Sequence, residues 1–143
     1  MTDVSADERF SVWARREDVR VYRGHNKRGA SVLMAPADVP GAFTPGELLQ
    51  IALAGCSGLT ADGVVQRRLV GDKGVTIGVE AAVHESEDRY TGFTETMLVD
   101  LSGLDEAART QLATAVRRAV GVGCTVGLTL LAGADVTVDI DQA

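Results

Sequence analysis

The stretch from Thr44 to Arg68 constrains this chain more than any other. Thr44 can cap a helix, Pro45 suits its first position, and Glu47 stands three residues after Thr44. Together they form a capping box with proline at the first helical residue. Phe43 and Leu48 are placed for a hydrophobic staple. No charge occurs between Glu47 and Asp62. The spacing predicts a helix to about Arg68, roughly 36 Å long at the usual rise. A helix apolar on every side is buried on every side. Ala52, Ala54, Gly55, Ser57, Gly58 and Ala61 let another backbone come close.

The rest of the chain must supply what covers that helix. With 143 residues there is room for one domain and its core. Residues 1–8 read as a loose tail and 9–143 as the domain. Phe10, Val12 and Ala14 alternate with polar residues, Val19 and Val21 start a second strand, and Gly24-His25-Asn26 marks a turn. Residues 30–35 read as a third strand that ends at Pro36. After the helix, residues 71–74 break the chain. Val75 to Val83 alternate as a half-buried strand, Glu85 to Arg89 make a hairpin tip, and a return strand runs from Thr91 to Leu101. A second helix follows from Asp105, with Leu104, Ala108, Leu112 and Ala119 on one face. A Gly-rich segment carries Cys124 into a short helix. Val136, Val138 and Ile140 alternate with Asp135, Asp139 and Asp141 as a final edge strand. Strands joined by hairpins predict an α+β fold with antiparallel sheets around the long helix.

Charge and cysteine count exclude several functions. The net charge is −6, which gives no footprint for nucleic acid or an anionic membrane. The N-terminus has no basic-then-apolar signal segment. The longest uncharged run, between Arg118 and Asp135, is broken by glycines and too short for a bilayer span. A cytoplasmic location is expected. Two cysteines are too few for a disulfide scaffold. His25, Cys56, His84 and Cys124 lack ligand-pair spacing, so no metal site is expected.

Cys56 sits mid-helix among Leu48, Leu49, Ala52, Leu59, Thr60 and Gly63. Cys124 follows Gly121-Val122-Gly123. One reading makes both small packing residues.

The segment Phe43-Thr-Pro-Gly-Glu-Leu-Leu-Gln-Ile-Ala-Leu-Ala-Gly-Cys56-Ser-Gly-Leu-Thr resembles the signature of the OsmC/Ohr family, closest to its Pro-x-Glu-Leu-Leu branch. Arg118-Ala-Val-Gly-Val-Gly-Cys124-Thr-Val-Gly-Leu-Thr-Leu falls where that family has its second cysteine. The likeness covers about residues 9–141. It implies the OsmC-like fold, an intertwined homodimer with the long helix at its core, and a stress-response peroxidase. Cys56 thiolate would attack a hydroperoxide, Cys124 would resolve the sulfenic acid as a disulfide, and a lipoyl-type dithiol would restore both thiols. No cofactor is implied.

A thiol needs help to ionise at neutral pH, and Cys56 is too deep in its helix to use that helix's own dipole. A cation is therefore expected. In the family an arginine from the N-terminal strands serves, held by a helix-start glutamate. Arg20 is the best match, with Arg23 and Arg28 as rivals. Glu47 is the matching glutamate, although the peroxidase branches place theirs at the position of Gly46. Glu47 already has a role as the capping-box residue. Cys124-Thr125-Val126-Gly127 also departs from the Cys-Pro-x-Ser often found in the family. The competing readings are a redox sensor or apolar-ligand-binding dimer, and a protein whose cysteines only pack.

Overall fold

The computed structural model describes residues 5–69 and 74–142. The element order is α1 (Ala6–Arg9), β1 (Val12–Asp18), β2 (Val21–Asn26), β3 (Ser31–Met34), α2 (Pro45–Arg68), β4 (Val75–Val83), β5 (Tyr90–Val99), α3 (Glu106–Gly123) and α4 (Thr125–Ala132). This is the α+β arrangement expected, with two antiparallel sheets. The chain divides into two compact units, Met1–Leu48 with Val136–Ala143, and Leu49–Asp135.

The first unit is a meander in the order β1-β2-β3. Its register pairs Trp13 with His25 and Tyr22 with Met34. Gly24 is needed here for space, because a Cβ would lie 3.2 Å from Val32 and 3.3 Å from Met34. Part of the expected tail is helical. Ala6–Arg9 make one helical turn whose start is held by Glu8, which accepts from the Ser5 N–H at 2.9 Å. Residues 1–4 lie outside the described residues. Arg9 pairs with Asp141 at 3.0 Å, and the Arg9 hydrogen bond holds the Asp141 carboxyl below its ordinary value.

The start of α2 is the capping box read from the sequence. The Glu47 N–H donates to Thr44 Oγ1 at 3.1 Å, and the Thr44 N–H donates to Glu47 Oε1 at 3.2 Å. Burial along the helix differs from expectation. Leu53, Ser57, Ala61 and Val65 are buried, one stripe at four-residue spacing. Leu59 on another face is 84% exposed and Ile51 is 49% exposed. A single chain of this length covers one side of α2 and leaves the others open. By length and composition α2 is also apolar enough to cross a bilayer.

In the second unit β4 and β5 form a hairpin, with Ile77 opposite Met97 and Val79 opposite Glu95. Val65, Leu69 and Leu112 make the core, with Met97, Val99, Leu101, Leu104 and Val116 packed on it. Asp105 caps α3 by accepting from the Ala108 N–H at 2.8 Å. The expected break at 71–74 falls largely outside the described residues.

The expected last strand is a correction. Residues 133–142 carry no strand, and Val136, Val138 and Ile140 are 88%, 84% and 99% exposed. The alternating pattern is present, but a strand also needs a neighbouring backbone to bond.

Candidate functional site at the two cysteines

The second unit brings Cys56 and Cys124 together. Cys56 lies on α2 beside the buried stripe, next to Ser57, which is 4% exposed. Thr60, one turn on, donates its hydroxyl to the Cys56 carbonyl at 2.7 Å. The same hydroxyl lies 3.5 Å from the Gly123 carbonyl. Cys124 sits where α3 gives way to α4, a bend of 67°, and is 1% exposed.

Cys124 serves both helices at that bend. Its N–H donates to the Val120 carbonyl at 3.0 Å, closing α3. Its sulfur accepts from the Gly127 N–H at 3.3 Å, capping α4. The sulfur thus supplies a contact that serine or aspartate makes at most helix starts. The bend approaches α2 closely because of two glycines. A Cβ on Gly123 would stand 3.0 Å from Thr60 Cγ2 of α2, and one on Gly127 would stand 3.7 Å from Leu53 Cδ1 of α2 and 3.2 Å from the Cys124 sulfur within the bend.

This geometry decides the electrostatics of Cys56. Its thiol is held below the ordinary value, chiefly by the backbone N–H of Val126. The Cys124 side chain adds to this, burial opposes it, and the Thr125 N–H and Thr60 contribute further lowering. Thr125 and Val126 are the first residues of α4, whose N–H groups have no partner inside their own helix. They favour negative charge in front of them. The start of α2 itself, at Pro45, is about three turns from Cys56. The start of a second helix, α4, contributes to lowering the Cys56 thiol. Both cysteines are free thiols.

The sequence reading missed two polar neighbours. The Ser57 hydroxyl donates to Glu95 Oε2 at 3.0 Å and lies 3.6 Å from the Cys124 sulfur. Glu95 stands on β5, where Phe93, Glu95, Met97 and Val99 face inward and the residues between them face out. A charged residue in phase with apolar ones was the available signal. Ser57 and Glu95 border a cavity of about 550 Å³ whose walls include Met97, Leu112, Arg109 and Arg117.

The other predicted residues lie in the first unit. Arg20 occupies the turn between β1 and β2 with φ 59° and is exposed. Arg23 is bound by Glu17. Arg28 donates its N–H to Asn26 Oδ1 at 2.9 Å. Glu47 is engaged in the capping box. The histidines have local roles. His25 stacks on Trp13 at 5.4 Å, and His84 Nδ1 accepts from the Ser86 and Glu87 N–H groups. No three His, Cys, Asp or Glu among the described residues gather as a metal site.

Fold and site define an α+β protein with a pair of thiols at the junction of three helices. Residues 37–139 match the family described as OsmC-like protein, and the chain belongs to that family. Uncharacterized proteins of Mycobacterium tuberculosis and Mycobacterium bovis are each 44% identical over 129 residues, spanning 90% of this chain and 94% of the relative. Among solved structures, an OsmC-like protein of unknown function from Vibrio cholerae is similar with TM-score 0.65 and 16% identity, covering 83% of this chain and 91% of that one. The organic hydroperoxide resistance protein OhrB of Bacillus subtilis has TM-score 0.53 and 21% identity, covering 82% and 87%.

Proposed function

We propose that this protein is a thiol-dependent peroxidase that reduces organic hydroperoxides. The observation that carries the reading is the placement of the two thiols: Cys124 stands directly before α4, 3.6 Å from the hydroxyl of Ser57, the neighbour of Cys56, and the first N–H groups of α4 hold the Cys56 thiol below its ordinary value. A sulfur so placed is a thiolate source, and its neighbour is the second thiol a catalytic cycle needs.

In the proposed cycle Cys56 thiolate attacks one oxygen of the hydroperoxide. The O–O bond breaks, the alkoxide leaves and takes a proton as the alcohol, and Cys56 becomes a sulfenic acid. Cys124 then forms an S–S bond to Cys56, and the sulfenic oxygen leaves as water. A dithiol of the lipoyl type reduces the disulfide by exchange. The choice of an organic peroxide rests on the family, because neither cysteine lines the cavity bordered by Ser57 and Glu95. Arg20 enters the proposal, on the family resemblance, as a further positive charge for the thiolate, with Glu47 as its holder. The working form is proposed as a cytoplasmic homodimer. The open faces of α2 and the unpaired segment 136–140 support a second copy.

The test is to add one equivalent of cumene hydroperoxide to the reduced protein and count thiols. Loss of both, prevented by Cys56→Ser, supports the reading; survival of both in excess peroxide ends it. Multiple turnovers with dihydrolipoamide separate an enzyme from a one-shot sensor.

A further inference from the structure

Glu95 has a position that neither packing nor the proposed chemistry of Cys56 explains. Its Oε2 accepts from the Ser57 hydroxyl at 3.0 Å. Its Oε1 is buried and has no hydrogen-bond partner among the described residues. Buried carboxyl oxygens are normally satisfied, so Glu95 is anchored here through Ser57 alone.

Ser57 has one hydroxyl proton. That proton is given to Glu95 Oε2, as the hydrogen bond shows. The Ser57 oxygen then has only lone pairs to offer Cys124, 3.6 Å away. Cys124 must be the donor in that contact. The result is a directed chain, from the Cys124 S–H to Ser57 Oγ and from the Ser57 O–H to Glu95 Oε2. Cys124 and Ser57 are both nearly sealed from water, at 1% and 4% exposure. A buried thiol that is to attack needs an internal destination for its proton.

We propose that Glu95, acting through Ser57, is the proton acceptor for Cys124 when that thiol attacks a sulfur. The role deepens the peroxidase reading and rests on it for the identity of the attacked group. As the Cys124 sulfur bonds to Cys56, the sulfenic S–O bond breaks, and hydroxide leaves and takes a proton from solvent as water. The Cys124 proton moves to Ser57 while the Ser57 proton moves to Glu95, which later releases it to solvent. The sulfenic sulfur is reduced and the thiol sulfur is oxidised. The charged groups that share the cavity with Glu95 are Arg109 and Arg117 of α3; Arg109 Nε donates to the Leu104 carbonyl at 3.0 Å. Uncharged Val79 stands opposite on β4. Cys56 and Cys124 are the titratable groups on the Ser57 side.

The test compares wild type with Glu95→Gln and Ser57→Ala in rapid-mixing experiments with cumene hydroperoxide from pH 6 to 9.5 (roughly spanning thiol ionisation). Sulfenic acid is trapped with dimedone and disulfide is followed by mass. Both variants should form sulfenic acid at the wild-type rate. Disulfide formation at neutral pH should slow by about a hundredfold, the low end for a positioned acid–base group. The deficit should shrink as rising pH ionises Cys124 directly. Resolution that is unchanged, or faster because a negative charge has gone, overturns the proposal; so does a deficit of equal size at every pH. A second measurement needs no peroxide. Cys124 in Cys56→Ala, with and without Glu95→Gln, is titrated with methyl methanethiosulfonate over the same pH range. The same neutral-pH deficit is expected there, and equal rates overturn the relay. Wild type inert to peroxide would instead end the peroxidase reading, leaving the relay to this second result.

Discussion

The backbone N–H of Val126, in the first turn of α4, holds the thiol of Cys56 on α2 below its ordinary value. This contact links two segments far apart in the chain. It lowers the thiol in the folded protein, with a sign that can be worked out. Between the lowered folded value and the ordinary thiol value near 8.5, the folded state binds fewer protons than the unfolded state. Stability therefore rises with pH through that window. It is fully present above the unfolded value and lost as pH falls through the folded one. Alkylation of Cys56 by iodoacetamide should stay fast below the pH at which a free thiol slows. Val126→Pro removes the leading donor and should slow alkylation at neutral pH by about tenfold, the scale of one charge-assisted hydrogen bond. Thr125→Pro removes a lesser donor at a position where helices accept proline, and should slow it less. The reverse order would contradict the assignment.

Cys124 combines a chemical role in the proposed cycle with a structural role at the α3–α4 bend, and two substitutions separate them. Serine is a preferred cap, so Cys124→Ser should keep the contact to the Gly127 N–H and unfold within about 0.5 kcal/mol of wild type. Its sulfenic acid at Cys56 should persist, because no second thiol remains. Cys124→Ala loses the cap and should be less stable by about 1 kcal/mol. Denaturant unfolding of both variants checks this. Equal stability of the two would show that the sulfur does not cap α4.

The α+β arrangement and most element boundaries were legible in the sequence for local reasons. The Thr44–Glu47 box marks its own helix, and the alternation from Val75 to Val83 marks its own strand. What was not legible depends on contacts through space. Nothing near Cys56 in sequence announces that Val126 will face it. Glu95 carried a local signal, its phase with Phe93 and Met97, but not its partner Ser57. The segment 136–140 has the pattern of a strand and no ladder within this chain, because pairing belongs to the pair and not to one sequence. An α2 apolar all round implies burial on every side, and the single chain buries one stripe.

Glu47 has two proposed roles that respond differently to one substitution. Glutamine can replace glutamate in a capping box, so Glu47→Gln should leave the melting temperature nearly unchanged. Thr44→Ala should lower stability by about 1 kcal/mol, or about 3 °C in a chain of this size. If Glu47 also holds an arginine for the thiolate, Glu47→Gln slows Cys56 oxidation while stability stays. Unchanged oxidation leaves capping as its role and removes the clamp from the proposal.

Leu59 offers the sharpest test of the proposed homodimer. It lies on the uncharged half of α2, where a leucine 84% exposed is flanked by Gly55 and Gly63, four residues before and after it. Small residues of this kind let a second backbone approach, and burying a leucine fully contributes about 1.5–3 kcal/mol. In a monomer Leu59→Glu would be close to neutral, because an exposed helix position tolerates glutamate well. In a dimer joined across α2 it would place two buried charges at the interface, which is costly without partners. Sedimentation of the wild type should give twice the 15.0 kDa chain mass. Leu59→Glu should shift it to the single-chain mass with helix content retained. Gln111→Glu on the exposed side of α3 should remain a dimer. A wild type that sediments as one chain at micromolar concentration would remove the second copy from the proposed working form.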